Sequence, residues 1–469
     1  MLKREANPRE ANPSGAPSGS APVGADAPRP AKTWPRIWIL LGLLLALVAG
    51  VWLSGALARI PRELARRCLS DRDFEGAWQW QAMAGRLSNH DPANALLAMR
   101  IARWQGDGER FKRELAVAKR WVADSAAMRR EELLALAQNG QLEGIEAELV
   151  ALLPEAGEEA AEISEAYANG LAMLARFDDA LSVLDAWRRD FPDDPRPEYR
   201  IGRIREHQSV YDEAEASYRR ALSRRAGYFP ARYSLGRVLL HQLRAEEAVE
   251  HFQACLKMPL PEAAQVELAI ALKALGRGDE ARPLLRQALA ADSARLSASY
   301  VAIDEQPEIF KAAAEYGKLE ADAGNYQEAK QWLTAALDAN PLDLMSRYSL
   351  AVSLRGLGEQ AEAERQFARV AAAREAMAGA GALNSRIKAN PQDVEARYLL
   401  GRMILEHESE RSGLYWIRSI FAYDPDHLAA HELLAEYFAA KSDRESHYAR
   451  LAAYHRRMAL ASRNEVAPP

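Results

Sequence analysis

The feature that most constrains this chain is a period. From Phe229 to Pro259 the sequence reads as two short amphipathic helices joined by a turn. Leu235, Leu239 and Leu240 form the apolar stripe of the first, and Ala248, Val249, Phe252 and Leu256 that of the second. Gly236 and Ala248 are small where two backbones approach, and Phe252 and Cys255 fill the space towards the next pair. Pro259 stops the second helix, having no N–H to donate and clashing with the preceding turn. Such a pair cannot bury its own apolar faces and needs copies of itself as neighbours.

The chain supplies them. With Gly236 as marker, equivalent small or apolar residues stand at Met99, Leu133, Ala168, Gly202, Ala269, Gly317, Ala351, Gly401 and Ala435, mostly in steps of 33 to 35 residues. Twelve residues on comes a second small residue: Ala180, Ala214, Ala248, Ala281, Ala329, Ala363 and Gly413. Four further on comes a large apolar one: Leu184, Tyr218, Phe252, Leu285, Leu333, Phe367 and Ile417. Pro192, Pro341 and Pro425 match a closing proline. This pattern over residues 92–460 resembles the tetratricopeptide repeat family, of the membrane-anchored bacterial type. Trp187 in place of a small residue, and the degenerate units at Met99 and Leu133, depart from it. The resemblance implies an all-α, right-handed α-solenoid of helix pairs and a scaffolding role. It carries no defined ligand.

A solenoid has no size limit, since each repeat touches only its neighbours, so 469 residues need no single core. A net charge of −5 lacks the basic field of a general nucleic-acid binder, and no nucleic-acid partner is expected. Cys68 and Cys255 cannot build a disulfide framework, and Cys255 falls at a packed position that predicts a buried free thiol.

Residues 1–35, rich in Pro, Ala, Gly and Ser, read as a disordered tail. The uncharged run Ile37–Ala58 then spans about 33 Å as a helix, enough for the hydrocarbon core, and Trp34, Trp38 and Trp52 suit its interfaces. It predicts a transmembrane helix over 36–59. The alternative is a cleaved signal peptide ending at Ala56-x-Ala58. Arginines on both sides leave the orientation nearly balanced, and the repeats are expected outside the cytoplasm, on a bacterial inner membrane. Residues 60–91 read as a degenerate capping repeat, 92–292, 310–372 and 390–460 as repeats, and 461–469 as a frayed tail. Two steps are too long, 48 residues from Ala269 to Gly317 and 50 from Ala351 to Gly401, which predicts extra helices in 293–309 and 373–389.

No nucleophile elbow, phosphate loop or zinc-protease motif is present, and neither an enzyme nor a cofactor is expected. His427 and His431, four apart beside Asp424 and Asp426, form a candidate metal pair that lacks a third ligand. The stronger pattern is a ladder on the first helices. Tyrosine recurs three residues before the marker, at Tyr199, Tyr233, Tyr348 and Tyr398. A basic residue recurs one after it, at Arg203, Arg237, Lys318 and Arg402. Three repeats carry both, four apart on one helix face. Two readings stand: ordinary surface chemistry, or a concave groove of aromatic and guanidinium groups for an extended, partly acidic peptide. On the second, replacing Arg203 and Arg237 by Ala would abolish capture and leave melting unchanged. The expected function is a membrane-tethered scaffold that binds protein or peptide partners in this groove and assembles an envelope-associated complex. The alternatives are an accessory subunit of an envelope polymer-modifying enzyme complex, or metal binding through His427 and His431.

Overall fold

A computed structural model describes residues 41–42, 56–88, 91–121, 125–142, 144–174, 176–390, 392–442 and 446–466. The chain divides into residues 1–57 and 58–469. The leader 1–35 and nearly all of the expected membrane helix fall outside the described residues. Among those described, no helix is long and apolar enough to cross a membrane.

From Arg59 onward the described residues are helical, with no strand among them. The helices come in pairs: Arg59–Ser70 with Phe74–Leu87, Pro92–Gln105 with Gly108–Trp121, Ala126–Gln138 with the short Glu146–Ala151, and Ala160–Met173 with Phe177–Asp190. Next come Arg196–His207 with Tyr211–Arg224, Phe229–His241 with Ala245–Cys255, and Glu262–Ala274 with Gly278–Ala290. The last are Lys311–Asp322 with Tyr326–Ala339, Leu344–Gly356 with Gln360–Ala376, Val394–His407 with Glu410–Arg418, and Leu428–Ala440 with Ser446–Val466. Over most of the array each second helix packs on the next first helix, and several successive first helices also touch one another. This is an α-solenoid.

The marker spacing is a packing rule. A Cβ on Gly202 would lie 2.5 Å from the Tyr218 ring, and on Gly236 2.7 Å from Phe252. At Gly317 it would meet Leu333 at 2.6 Å, and at Gly401 Ile417 at 2.8 Å. The large residue sixteen positions on fills the space that the missing side chain leaves. Ala180, Ala214, Ala248, Ala281, Ala329 and Ala363 are fully buried beside them. Cys255 is a buried free thiol, its pKa pushed up to about 12 by burial.

A second register sits in the turn seven residues after the marker. Gly106, Gly140, Gly276, Gly324 and Gly358 hold the left-handed conformation there, as do Ser209 and Leu243. In each turn the N–H of that residue reaches back three positions and the next N–H five, as in Leu243 N to Leu240 O (3.0 Å) and Arg244 N to Leu239 O (2.8 Å). Arg72 belongs to the same series, with Ala65 as its buried marker and Ala77 twelve beyond. The pair in 60–91 thus keeps the register.

The two long steps hold the helices Ser293–Ala302 and Ala380–Ala389, while 373–376 complete the preceding helix. The first ends in the same left-handed turn, at Asp304, with Asp304 N on Val301 O and Glu305 N on Tyr300 O. No second helix follows it; residues 305–308 run without helix before Lys311. It is a first helix without its partner. The final helix continues to Val466, past the fraying expected from 461, and Arg463 pairs with Glu432 of the facing helix.

Residues far apart in sequence also meet. Asp71 pairs with Arg225, and the Tyr415 ring stacks 4.9 Å from His207 and lies 6.1 Å from Phe177.

Candidate functional site

The ladder positions place tyrosine and arginine one turn apart on the first helix of a pair. Where first helices lie side by side, the arginines of neighbouring pairs become neighbours. Arg203 and Arg237 meet on one carboxylate, that of Glu305, with Arg237 Nη1 at 3.1 Å. Glu305 belongs to the non-helical stretch after Ser293–Ala302.

Around this contact lies a largely buried ionic cluster, with Glu305 at its centre and its arginines half-buried. Asp304 pairs with Arg200 and, at 2.9 Å, with Arg72, whose guanidinium also donates to Val301 O at 2.9 Å. Arg200 reaches Glu165 at 2.8 Å, and Arg237 reaches Glu206. Tyr218 donates to Glu206 at 2.6 Å. Burial alone would push the Asp304 carboxyl up, but Arg200, Arg72 and Arg203 hold it below the usual range. Glu206, equally deprived of water, is held low by Arg237 and Arg203. Burial pushes the phenols of Tyr199, Tyr218 and Tyr233 upward, so all stay neutral.

Tyr199 and Tyr233 are 0% and 1% exposed, so neither ring presents a face to a partner, contrary to their expected place on an open groove. Tyr199 packs edge-on against Tyr228, centroids 5.6 Å apart, and Tyr233 packs on Phe252. The expectation that melting would ignore loss of Arg203 and Arg237 falls with this, since both arginines neutralise a carboxylate cut off from water.

Elsewhere on the ladder Tyr348 and Arg402 are exposed, while Tyr398 and Lys318 are half-buried. Tyr348 is 39% exposed, with Arg374 over its ring at 5.7 Å and Phe367 against its edge. Arg402 is exposed and lies 5.7 Å over its own Tyr398. Among the described residues no carboxylate pairs with Arg402. Lys318 stays with Glu315 at 2.9 Å.

The candidate metal pair does not converge. His427 Nδ1 accepts from Ala430 N at 3.2 Å, capping its helix. Both nitrogens of His431 are engaged, Nε2 with Pro425 O at 2.8 Å and Nδ1 with His455 Nδ1 at 2.9 Å. Among the described residues no group of three metal-ligating side chains occurs.

Sequence reasoning missed Asp304, Glu305, Arg72 and Arg200. The signal was present in the 48-residue step, which marked an insertion without saying where its end would dock.

The stacked helix pairs form an α-solenoid in one register. The Tetratricopeptide repeat family matches residues 168–229, 199–264 and 315–380, and over these the chain carries tetratricopeptide repeats. A comparison with curated proteins finds no match. Among solved structures the chain is similar to PilW, a type IV pilus biogenesis factor, at 20% identity over 45% of this chain and 92% of that one, TM-score 0.39. YrrB, described as having an unusual peptide-binding site, matches at 18% identity over 45% and 95%, TM-score 0.31. PilF of Pseudomonas aeruginosa matches at 16% identity over 52% and 97%, TM-score 0.33.

Proposed function

We propose that this chain is a non-enzymatic scaffold, tethered to the membrane by residues 37–58 with its repeats outside the cytoplasm, that binds acidic extended segments of protein partners and so assembles an envelope-associated complex. The observation that carries the ligand class is the meeting of Arg203 and Arg237, from neighbouring repeats, on Glu305 of a non-helical stretch. The spacing that puts tyrosine and arginine on first helices therefore makes a carboxylate receptor when an extended segment crosses it. In the same pairing at Tyr398 and Arg402 the guanidinium is exposed beside a half-buried ring, and this is the receptor for a partner. Tyr348 extends the aromatic surface, and arginine over an aromatic face retains donors for a carboxylate.

The binding test uses the full-length chain in detergent and a fluorescent peptide with the sequence of residues 301–308, which carries the Asp-Glu step. Binding that weakens about tenfold on Arg402→Ala supports the reading, in line with loss of one interface arginine. Equal binding of the Asn/Gln version of the peptide overturns the acidic preference. Tethering is tested by carbonate extraction of membranes: uncleaved chain in the soluble fraction overturns it.

A further inference from the structure

The chain's own insertion occupies half of the ladder. Its helix, Ser293–Ala302, is built in: Tyr300 and Ile303 are 1% exposed, and Ser299 Oγ accepts from Ala263 N at 3.0 Å. The segment beyond it is held differently. Gln306 and Pro307 are exposed and Ile309 is 44% exposed, so from Gln306 onward little apolar surface fixes the path. Asp304 and Glu305 are held by charge, on Arg72, Arg200, Arg203 and Arg237. Asp304 keeps φ at 63°, a conformation that a residue with a Cβ adopts at a cost. In the other turns of this series, except that at Gly140, the residues beyond the left-handed position directly enter a second helix. Here they enter the ladder.

We propose that the Asp304–Glu305 turn is an internal pseudo-ligand, and that an acidic extended segment of a partner gains the Arg200/Arg203/Arg237 face by displacing it while Ser293–Ala302 stays docked. The inference rests on the acidic-segment reading above. It makes the protein a scaffold with one open receptor, at Arg402, and one latched in cis. A partner with a single acidic step fills the open receptor. One with two, or at high local concentration, also unlatches the second. Because charge holds the latch, raised salt loosens it.

The test keeps the two ideas apart. In the full-length Arg402→Ala chain, which removes the open receptor, hydrogen exchange is followed at residues 303–310 with and without the 301–308 peptide. Displacement predicts faster exchange of the Glu305 amide, now held on Tyr300 O, while amides of Ser293–Ala302 keep their protection. When Asp304→Asn and Glu305→Gln are added to that Arg402→Ala chain, the same peptide should bind at least about tenfold more tightly than to Arg402→Ala alone, the isosteric amides keeping the shape and losing the charge. Unchanged exchange at 303–310 under saturating peptide, or an unchanged Kd in the Asn/Gln chain, overturns the latch. If that variant loses its helical circular dichroism, the exchange measurement on the chain with native Asp304 and Glu305 decides alone. Peptide binding lost on Arg402→Ala but insensitive to the insertion leaves the open receptor standing and removes only the latch. No binding to any chain removes both.

Discussion

Tyr199–Arg203 and Tyr398–Arg402 are the same local device in two different fates. Each places a phenol and a guanidinium one turn apart on a first helix. In the first, Tyr228 packs on the tyrosine, an insertion crosses the arginine and the ring is fully buried. In the second, among the described residues, no carboxylate pairs with the arginine; the guanidinium rests over its own tyrosine at 5.7 Å, and that ring is half-buried against His427. The difference does not come from the helix that bears them. It comes from what is laid on them: neighbouring tyrosines on the ring, and on the arginine a segment about a hundred residues further on that reaches only one of the two. A repeated motif therefore fixes where a side chain points, while coverage is settled by whatever the rest of the chain brings to that face.

The widest gap between the two regions is expected from arginine removal. Arg203→Ala with Arg237→Ala leaves Glu305 buried beside no cation, and breaking a buried pair this way costs about 3–5 kcal/mol. Arg402→Ala removes an exposed cation–π contact worth about 0.5–1 kcal/mol. Chemical denaturation of the three chains measures both. Similar small losses would mean that the closed cluster is as wet as the open one.

Acid should separate the regions next, by the pH at which each gives way. Near the C-terminus His431 Nε2 donates to Pro425 O, so its Nδ1 must accept from His455 Nδ1–H. Once both rings carry a second proton, two N–H groups face each other. Burial first, then His431 and Arg418, push His455 down to about 3, and burial likewise lowers His431. With a folded value below the unfolded one, the unfolded chain binds more protons, so this stability is full above about pH 7 and falls as pH drops. The loss at His455 alone is ~3 kcal/mol by pH 4. Asp304 and Glu206 are also held low, but their contribution survives until pH falls below the ordinary carboxylate range near about 4. Hydrogen exchange at pH 7, 5 and 3.5 should show the last helix pair loosening before the Arg203–Glu305 cluster. The reverse order would mean that the imidazoles are not the weak point.

What was legible in the sequence follows the same division. The helix pairs were legible because each rests on neighbours along the chain: Gly236 needs Phe252 sixteen residues away, and that spacing repeats. The ladder was legible as a helix-face pattern for the same reason. The cluster was not, because Glu305 lies 102 residues from Arg203 and Asp304 lies farther still from Arg72, and no periodicity links them. The left-handed turn position was missed because its glycines alternate with other residues. At Arg72 and Asp304 a side chain is kept there for its ion pair. At Ser209 and Leu243 no such pair is made.

That contrast yields the smallest effect. Leu243 and Gly358 occupy the same turn position, one in the closed region and one in the open region, with φ of 62° and 80°. The Leu243 side chain is 90% exposed, so it contributes almost no packing to set against its backbone. A Cβ in the left-handed region costs ~1–2 kcal/mol, and glycine returns part of this by loosening the unfolded chain, so Leu243→Gly should stabilise by about 0.5–1 kcal/mol. Gly358→Ala is the mirror experiment. A Cβ there would meet nothing within 4 Å, so any loss is backbone conformation alone, expected at ~1 kcal/mol. Two melting curves, one raised and one lowered by similar amounts, would show that the turn obeys one rule in both regions and that only coverage distinguishes them. If Leu243→Gly lowers the melting temperature instead, the closed region holds its turns by something beyond backbone geometry, and the two halves of the ladder differ in their scaffolding as well as in what lies across it.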